Sequence, residues 1–386
     1  MRSISLAVVA ILAATVSQRA VATEFLAPSS TPSSGGFWIG ADYLNWSSKG
    51  DKLPPLVTTS PAGTPLTQAG VLGAPSTTVL FGNASVADGW RSGVRVRGGY
   101  WFDPQHSQGI EAQLLFLGNE STEFSASSGA TPILAQPFTD AVSRMPNASL
   151  IAFPGTASGS IATRETSRLF GTGAAYRREL CSSCAFGSIS AFAGYRYLRL
   201  RDGLAINDSI SPLSPIFPSG SAITASDQFN TTNNFHGLDL GLTGDVANGP
   251  WRLSWLAKIA VGGTFVDSHI NGSNSIAITG TGTTVSAGGF YTQPTNIGST
   301  SSDRFAVAPE LGLTAGYQFT DNLRAVMGYS LLYWTGLVRP GGGMDTTINT
   351  SQLNGGILAG PARPQARMNT TDYWAQGFNL GLVFNP

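Results

Sequence analysis

Residues 306–334, AVAPELGLTAGYQFTDNLRAVMGYSLLYW, alternate in polarity along two runs joined by a short turn. In the first run, Val307, Pro309, Leu311, Leu313, Ala315, Tyr317 and Phe319 share one face, with Glu310, Gly312, Thr314, Gly316 and Gln318 on the other. In the second, Leu323, Ala325, Met327, Tyr329, Leu331 and Tyr333 stand opposite Arg324, Gly328 and Ser330. A period of two with one apolar face predicts a β-hairpin. The runs are long, aromatics lie near both ends of the apolar face, and the other face is Gly-rich and charged. This is the pattern of paired transmembrane barrel strands, apolar toward lipid and polar toward the lumen. With 320–322 as the turn, Phe319 pairs with Leu323 and Gln318 faces Arg324.

Ten segments carry such alternation, near 37–46, 92–102, 109–117, 165–178, 185–198, 235–246, 251–264, 306–319, 323–334 and 373–384. In 185–198 the alternation is too weak to assign a lipid face. Short connections at 103–108, 179–184, 247–250 and 320–322 hold turn residues such as Asp-Pro and Asn-Gly-Pro. They alternate with long ones, 47–91, 118–164, 199–234, 265–305 and 335–372, of about 35 to 45 Ser-, Thr-, Gly- and Pro-rich residues. Five such loops are foreign to a compact soluble domain. They suit a barrel with short periplasmic turns and long extracellular loops. These loops are expected either to be disordered or to fold over the mouth. The predicted fold is therefore all-β, a single antiparallel transmembrane barrel of about ten strands, with twelve as the alternative.

The first 22 residues read as a secretory signal peptide, with Arg2 before an apolar stretch and Ala20-Val21-Ala22 as the cleavage site. Residues 23–36 are then a short periplasmic segment and 37–386 the barrel, which places the protein in a bacterial outer membrane. Expected partners are outer-membrane lipid and the barrel-assembly machinery, with small solutes or surface polymers as possible ligands. Charged residues make up 11% of the chain and the net charge is zero, which argues against nucleic-acid binding.

Inward positions collect a charge network: Arg95, Arg97, Glu111, Asp239, Asp245, Arg252, Lys258, Glu310 and Arg324. With 247–250 as a four-residue turn, Val246 pairs with Trp251, and Asp245 meets Arg252 as Asp239 meets Lys258. Such a face either lines a charge-selective pore or fills the lumen with salt bridges. Eight-stranded barrels are filled by side chains and sixteen-stranded ones are open, so ten strands favour filling, with a narrow water path left open. Cys181 and Cys184, in a short turn, are read as a local disulfide in an oxidising compartment; neither a helix start for redox chemistry nor further zinc ligands lie nearby. No catalytic motif, metal site or cofactor site is expected. The arrangement considered for hydrolysis is an Asp42–Glu111 pair at the mouth. Two aromatic belts are expected, Phe37, Phe102, Trp251, Phe319 and Phe384 at the turn end, and Tyr43, Trp46, Phe265, Tyr333, Trp334 and Tyr373 at the loop end.

The blocks FWIGADYLNW, GGYWFDPQHSQGIEAQLLFLG, AFAGYRYLRL, FHGLDLGL with KIAVGG, PELGLTAGYQFTDNLRAVMGYSLLYWTGLVRPG and QGFNLGLVF resemble a planctomycete outer-membrane β-barrel family of uncharacterised function. The resemblance spans residues 37–384 apart from the long loops. It implies an outer-membrane location and supplies no catalytic residue, substrate or ligand. The functions expected are a structural scaffold or a narrow porin-like channel, not an enzyme. Adhesion through the loops is the alternative, and hydrolysis at the mouth a third possibility.

Overall fold

Every alternating segment forms a strand in the computed structural model, which describes residues 36–184, 187–213 and 216–386. The expected signal peptide and residues 23–35 lie outside the described residues. Ten long strands follow in chain order: β1 Phe37–Ser48, β2 Trp90–Trp101, β3 Gln108–Ser127, β4 Ala157–Cys184, β5 Gly187–Pro212, β6 Ala222–Asn248, β7 Trp251–Ile278, β8 Gly298–Gln318, β9 Leu323–Val338 and β10 Thr370–Phe384. Each pairs antiparallel with its neighbours in sequence, and β1 closes the ring on β10 with Ile39 opposite Phe384. Closure leaves the barrel wall without a free edge, as a bilayer requires.

An outward girdle that includes Ile39, Val94, Leu114, Leu240, Ile259, Leu311, Met327 and Leu380 is exposed around the ring. So continuous an apolar surface is a lipid contact. Above it the polarity reverses. In β5, Leu198, Leu200, Leu204 and Ile206 are buried inside while Arg201 and Asn207 are exposed. Reversal marks the edge of the membrane, because apolar groups outside lipid must turn inward. Strands β4 to β7 run 28, 26, 27 and 28 residues, against the roughly 9–11 that cross a bilayer. The stretches 199–234 and 265–305, expected as irregular loops, are therefore largely strand and extend beyond the hydrocarbon. The lipid-facing signature is missing there, which is why the strands are hard to see in sequence.

The remaining long loops fold over the mouth. Val57–Thr59, Thr78–Phe81, Leu134–Asp140, Pro146–Ala152 and Thr347–Ile348 build a five-stranded cap. Its Leu56, Val57, Leu134, Phe138 and Ile348 pack on Leu204, Ile206, Phe229 and Ile270 of the barrel extension. The stretch Phe290–Thr292 is pinned to β6 by Asp227, which accepts from the backbone N–H of Phe290 at 3.2 Å, and from the N–H and Oγ1 of Thr292 at 2.8 and 2.7 Å.

Near Asp227 lies Asp208, high on β5, above the lipid-facing girdle. Burial, reinforced by the Asp227 charge, pushes the Asp208 carboxyl up from 3.8 to about 8. The folded cap therefore favours the protonated form. Its contribution is complete below the unfolded value of 3.8 and is lost as pH rises through about 8. The denaturation midpoint is expected to fall from mildly acidic to alkaline buffer, and Asp208→Asn to flatten that decline. An unchanged pH profile in the variant would remove Asp208 as the cause.

One of the two hairpin registers expected from sequence changes here. In the β6–β7 hairpin Asn248 pairs with Trp251, so Asp239 lies opposite Ala260 and Asp245 opposite Ser254, two positions from the expected register. The turn has two residues: Gly249 at φ +57° takes the first central position, which suits glycine, and Pro250 the second. Because the slip is even, every side chain keeps its face. In the 306–334 hairpin the structure pairs Gln318 with Arg324.

The aromatic belts also change. Phe37, Phe102, Trp251, Phe319 and Phe384 are exposed at the turn end, and Tyr43 and Phe265 at the loop end. Trp46, Trp334 and Tyr373 are instead fully buried inside the barrel. They share parity with inward Asp42, Ser330 and Asn379, and parity outranks position along the strand.

Candidate lumenal charge site

The lumen is filled in layers. The lowest is the charge network, centred on Glu310 of β8, which is 3% exposed. Its carboxylate accepts from Arg196 Nη2 and lies 3.3 Å from Lys258 Nζ and 3.9 Å from Arg95 Nη1. Asp239 lies 3.5 Å from Lys258 and 3.9 Å from Arg196. The slipped register makes the Asp239–Lys258 contact diagonal. Asp42 of β1 accepts from Arg95 Nε at 2.9 Å and lies 3.0 Å from Arg97 Nη2.

Nearer the turns, Arg177 stands 3.5 Å from Asp245 and 4.0 Å from Glu111, with its guanidinium 5.1 Å from the Trp101 ring centroid. The expected Asp245–Arg252 pair is absent: Asp245 takes Arg177 and the Ser254 hydroxyl instead. Arg252 and Arg324 make no ion pair among the described residues and sit at the turn-end opening. Thus Arg95, Arg97, Arg177, Arg196 and Lys258 are matched by Asp42, Glu111, Asp239, Asp245 and Glu310, and two arginines remain over.

Sequence reading missed Arg196, Arg177 and the structural part played by Asp42. Arg196 comes from the stretch with weak alternation, where Ala191 and Ala193 dilute the lipid face. The signal that could find it is parity, since Arg196 lies between Tyr195 and Tyr197, two aromatics of the opposite face. Asp42 is bound by two arginines inside the wall, so Asp42 and Glu111 do not form a free carboxylate pair at the mouth.

Above the charges lies an apolar layer that the expectation of a polar lumen did not foresee. Leu44, Trp46, Leu117, Leu198, Leu200, Phe235, Leu332, Trp334 and Tyr373 are each no more than 1% exposed and pack as one cluster across the interior. The two indole tips within it are satisfied, Trp46 Nε1 donating to Asn379 Oδ1 at 2.8 Å and Trp334 Nε1 to Thr264 Oγ1 at 2.9 Å, while the buried Tyr373 hydroxyl has no hydrogen-bond partner among the described residues.

A second charged layer separates this cluster from the cap. Arg339 grips Asp202 with two hydrogen bonds of 2.9 and 3.2 Å and lies 3.8 Å from Glu165. Neither Glu165 oxygen has a hydrogen-bond partner among the described residues. Burial, with Asp202 adding to it, pushes Glu165 up to about 9, so it stays neutral at ordinary pH. Arg339 also donates to the Lys49 carbonyl at 2.7 Å and ties the loop after β9 to the loop after β1.

Cys181 and Cys184 are joined by a disulfide at the turn end of β4. Among the described residues no group of three or more His, Cys, Asp or Glu is arranged to hold a metal ion.

The family described as "Putative beta barrel porin-7" matches residues 38–385. No curated protein matches the chain. Among solved structures, the outer membrane protease OmpT from Escherichia coli is 11% identical, with a TM-score of 0.37 over 93% of this chain and 99% of that one. The TodX deltaS2S3 mutant monoaromatic hydrocarbon channel is 10% identical, with a TM-score of 0.23 over 92% and 91%. Outer-membrane expressed OmpT of Vibrio cholerae is 10% identical, with a TM-score of 0.18 over 94% and 100%. At these scores the likenesses carry no argument about function.

Proposed function

The chain belongs to the beta barrel porin-7 family, and on that premise we propose that it is an outer-membrane scaffold barrel whose lumen is closed to solutes and whose working surface is the extracellular cap. The observation that carries this reading is the buried layer of Trp46, Phe235, Trp334 and Tyr373 spanning the interior. Ion-paired side chains below and the cap above narrow the approach to this layer from both sides. A porin keeps an aqueous lumen lined by polar groups, whereas dry packing of this kind excludes water as a protein core does. The role is non-enzymatic, since the inward carboxylates are consumed by cations or held within the wall.

Liposomes reconstituted with the protein and transferred into isotonic small sugars or amino acids are expected not to swell. Swelling at rates typical of an open porin would overturn the closed-lumen reading. A narrow charge-selective channel is the second reading. It is favoured by Arg252 and Arg324, which make no ion pair among the described residues. Swelling confined to anionic solutes, and abolished by replacing both arginines with glutamine, would support it.

A further inference from the structure

Three outward arginines gather on β4 and β5 immediately above the lipid-facing girdle. Arg168 lies directly opposite Arg201, and Arg199 opposite Phe170. The Arg199 and Arg168 charges both repel that of Arg201. Like charges in directly opposed cross-strand positions are destabilising, yet none of the three makes an ion pair or a side-chain hydrogen bond among the described residues. Arg199 Nε is buried with no hydrogen-bond partner among the described residues. The outward carboxylates nearby are otherwise engaged: Glu123 lies 3.2 Å from Arg164, and Asp267, two strands from Arg201, accepts from Ser301.

Their height is set by a band of rings beside and below them. Phe170, Tyr197, His236 and Phe265 contact one another across β4 to β7, with centroids 6.2, 4.9 and 5.6 Å apart in that order. Outward aromatic bands mark the level where hydrocarbon gives way to headgroups. The arginines thus stand at headgroup level on the long-loop side. Guanidinium forks suit phosphate oxygens in bidentate contact, and an anion between them would relieve their repulsion.

We propose that Arg168, Arg199 and Arg201 form a binding site for the phosphate group of an anionic lipid headgroup in the outer leaflet. The site rests on the reading that the barrel spans a bilayer with its cap outside. The lipid would bind as a peripheral ligand of the wall, touching neither the lumen nor the cap.

The test compares the wild type with the Arg168→Gln, Arg199→Gln, Arg201→Gln triple variant in phosphatidylcholine vesicles with and without diphosphoryl lipid A. The phosphorylated lipid is expected to raise the denaturation midpoint of the wild type and to leave that of the variant unmoved. Native mass spectrometry is expected to show about tenfold or weaker retention of the lipid by the variant. In pure phosphatidylcholine the variant is expected to be at least as stable as the wild type, because repulsion has been removed. Arg164→Gln, at the Glu123-paired arginine of the same face, should keep the full lipid response. If the triple variant does not fold, Arg201→Gln alone carries the comparison. Equal lipid response in wild type and variant would overturn the site, as would equal stabilisation by inorganic phosphate in pure phosphatidylcholine, which would show a soluble-anion site. Failure of the wild type to insert into either vesicle would overturn the membrane reading together with the site.

Discussion

Replacing Glu310 with glutamine is expected to lower the stability of the folded barrel by about 3–5 kcal/mol, the usual cost of leaving buried charge uncompensated. Glu310 is the anion shared by Arg196, Lys258 and Arg95, each itself buried in the wall. Removing its charge leaves these cations with only Asp239 and Asp42. The glutamine keeps the volume, so packing loss does not confound the measurement. Adding Lys258→Met should recover part of the loss, because the pair then leaves together and an apolar stem replaces a buried ammonium. Denaturant unfolding in micelles, followed by tryptophan fluorescence, measures both. A loss below about 1 kcal/mol would be the range of an exposed surface pair and would mean that water reaches the network.

The second large effect concerns Trp46 and Trp334. Changing both to alanine is expected to open a water path through the apolar layer and to give ion conductance where the parent has none. Their rings are fully buried, and Phe235 packs on Trp334 at 6.0 Å between centroids. A soluble core can collapse around a cavity; a hydrogen-bonded ring of strands cannot contract its circumference. The cavity therefore persists, lined in part by Asn379 and Thr264, whose side-chain oxygens lose their indole donors. A polar, roomy cavity fills with water. The cost to stability is about 3–5 kcal/mol per tryptophan, so folding of the variant must be verified by circular dichroism before current is recorded. A folded variant that remains silent would place the barrier elsewhere, in the paired charges or the cap.

Much of this architecture is legible in the chain because lipid imposes a strict alternation. The 306–334 hairpin shows its faces from period, and its Gln318–Arg324 pairing once 320–322 is taken as the turn. The β6–β7 hairpin shows its faces but not its register, since turn length is a local property of Asn248-Gly249-Pro250 that periodicity does not encode. Two misreadings share one cause, the assumption that an inward face is polar. Leu44, Leu117 and Trp46 are inward and apolar because the interior at that height is a packed core. Leu204 and Ile206 are inward and apolar because the wall has left the membrane, so the rule of outward apolar residues reverses. Arg339, Asp202 and Glu165 are distant in sequence, and only ring closure and the returning loop bring them together.

The central claim is a closed lumen, and single-channel recording of the refolded wild-type protein in a planar bilayer tests it most directly. The layered charges, the Trp46–Trp334 layer and the cap predict a silent bilayer across moderate voltages, with steps appearing only when both tryptophans are removed. Stable, reproducible conductance steps from the folded wild type would contradict it.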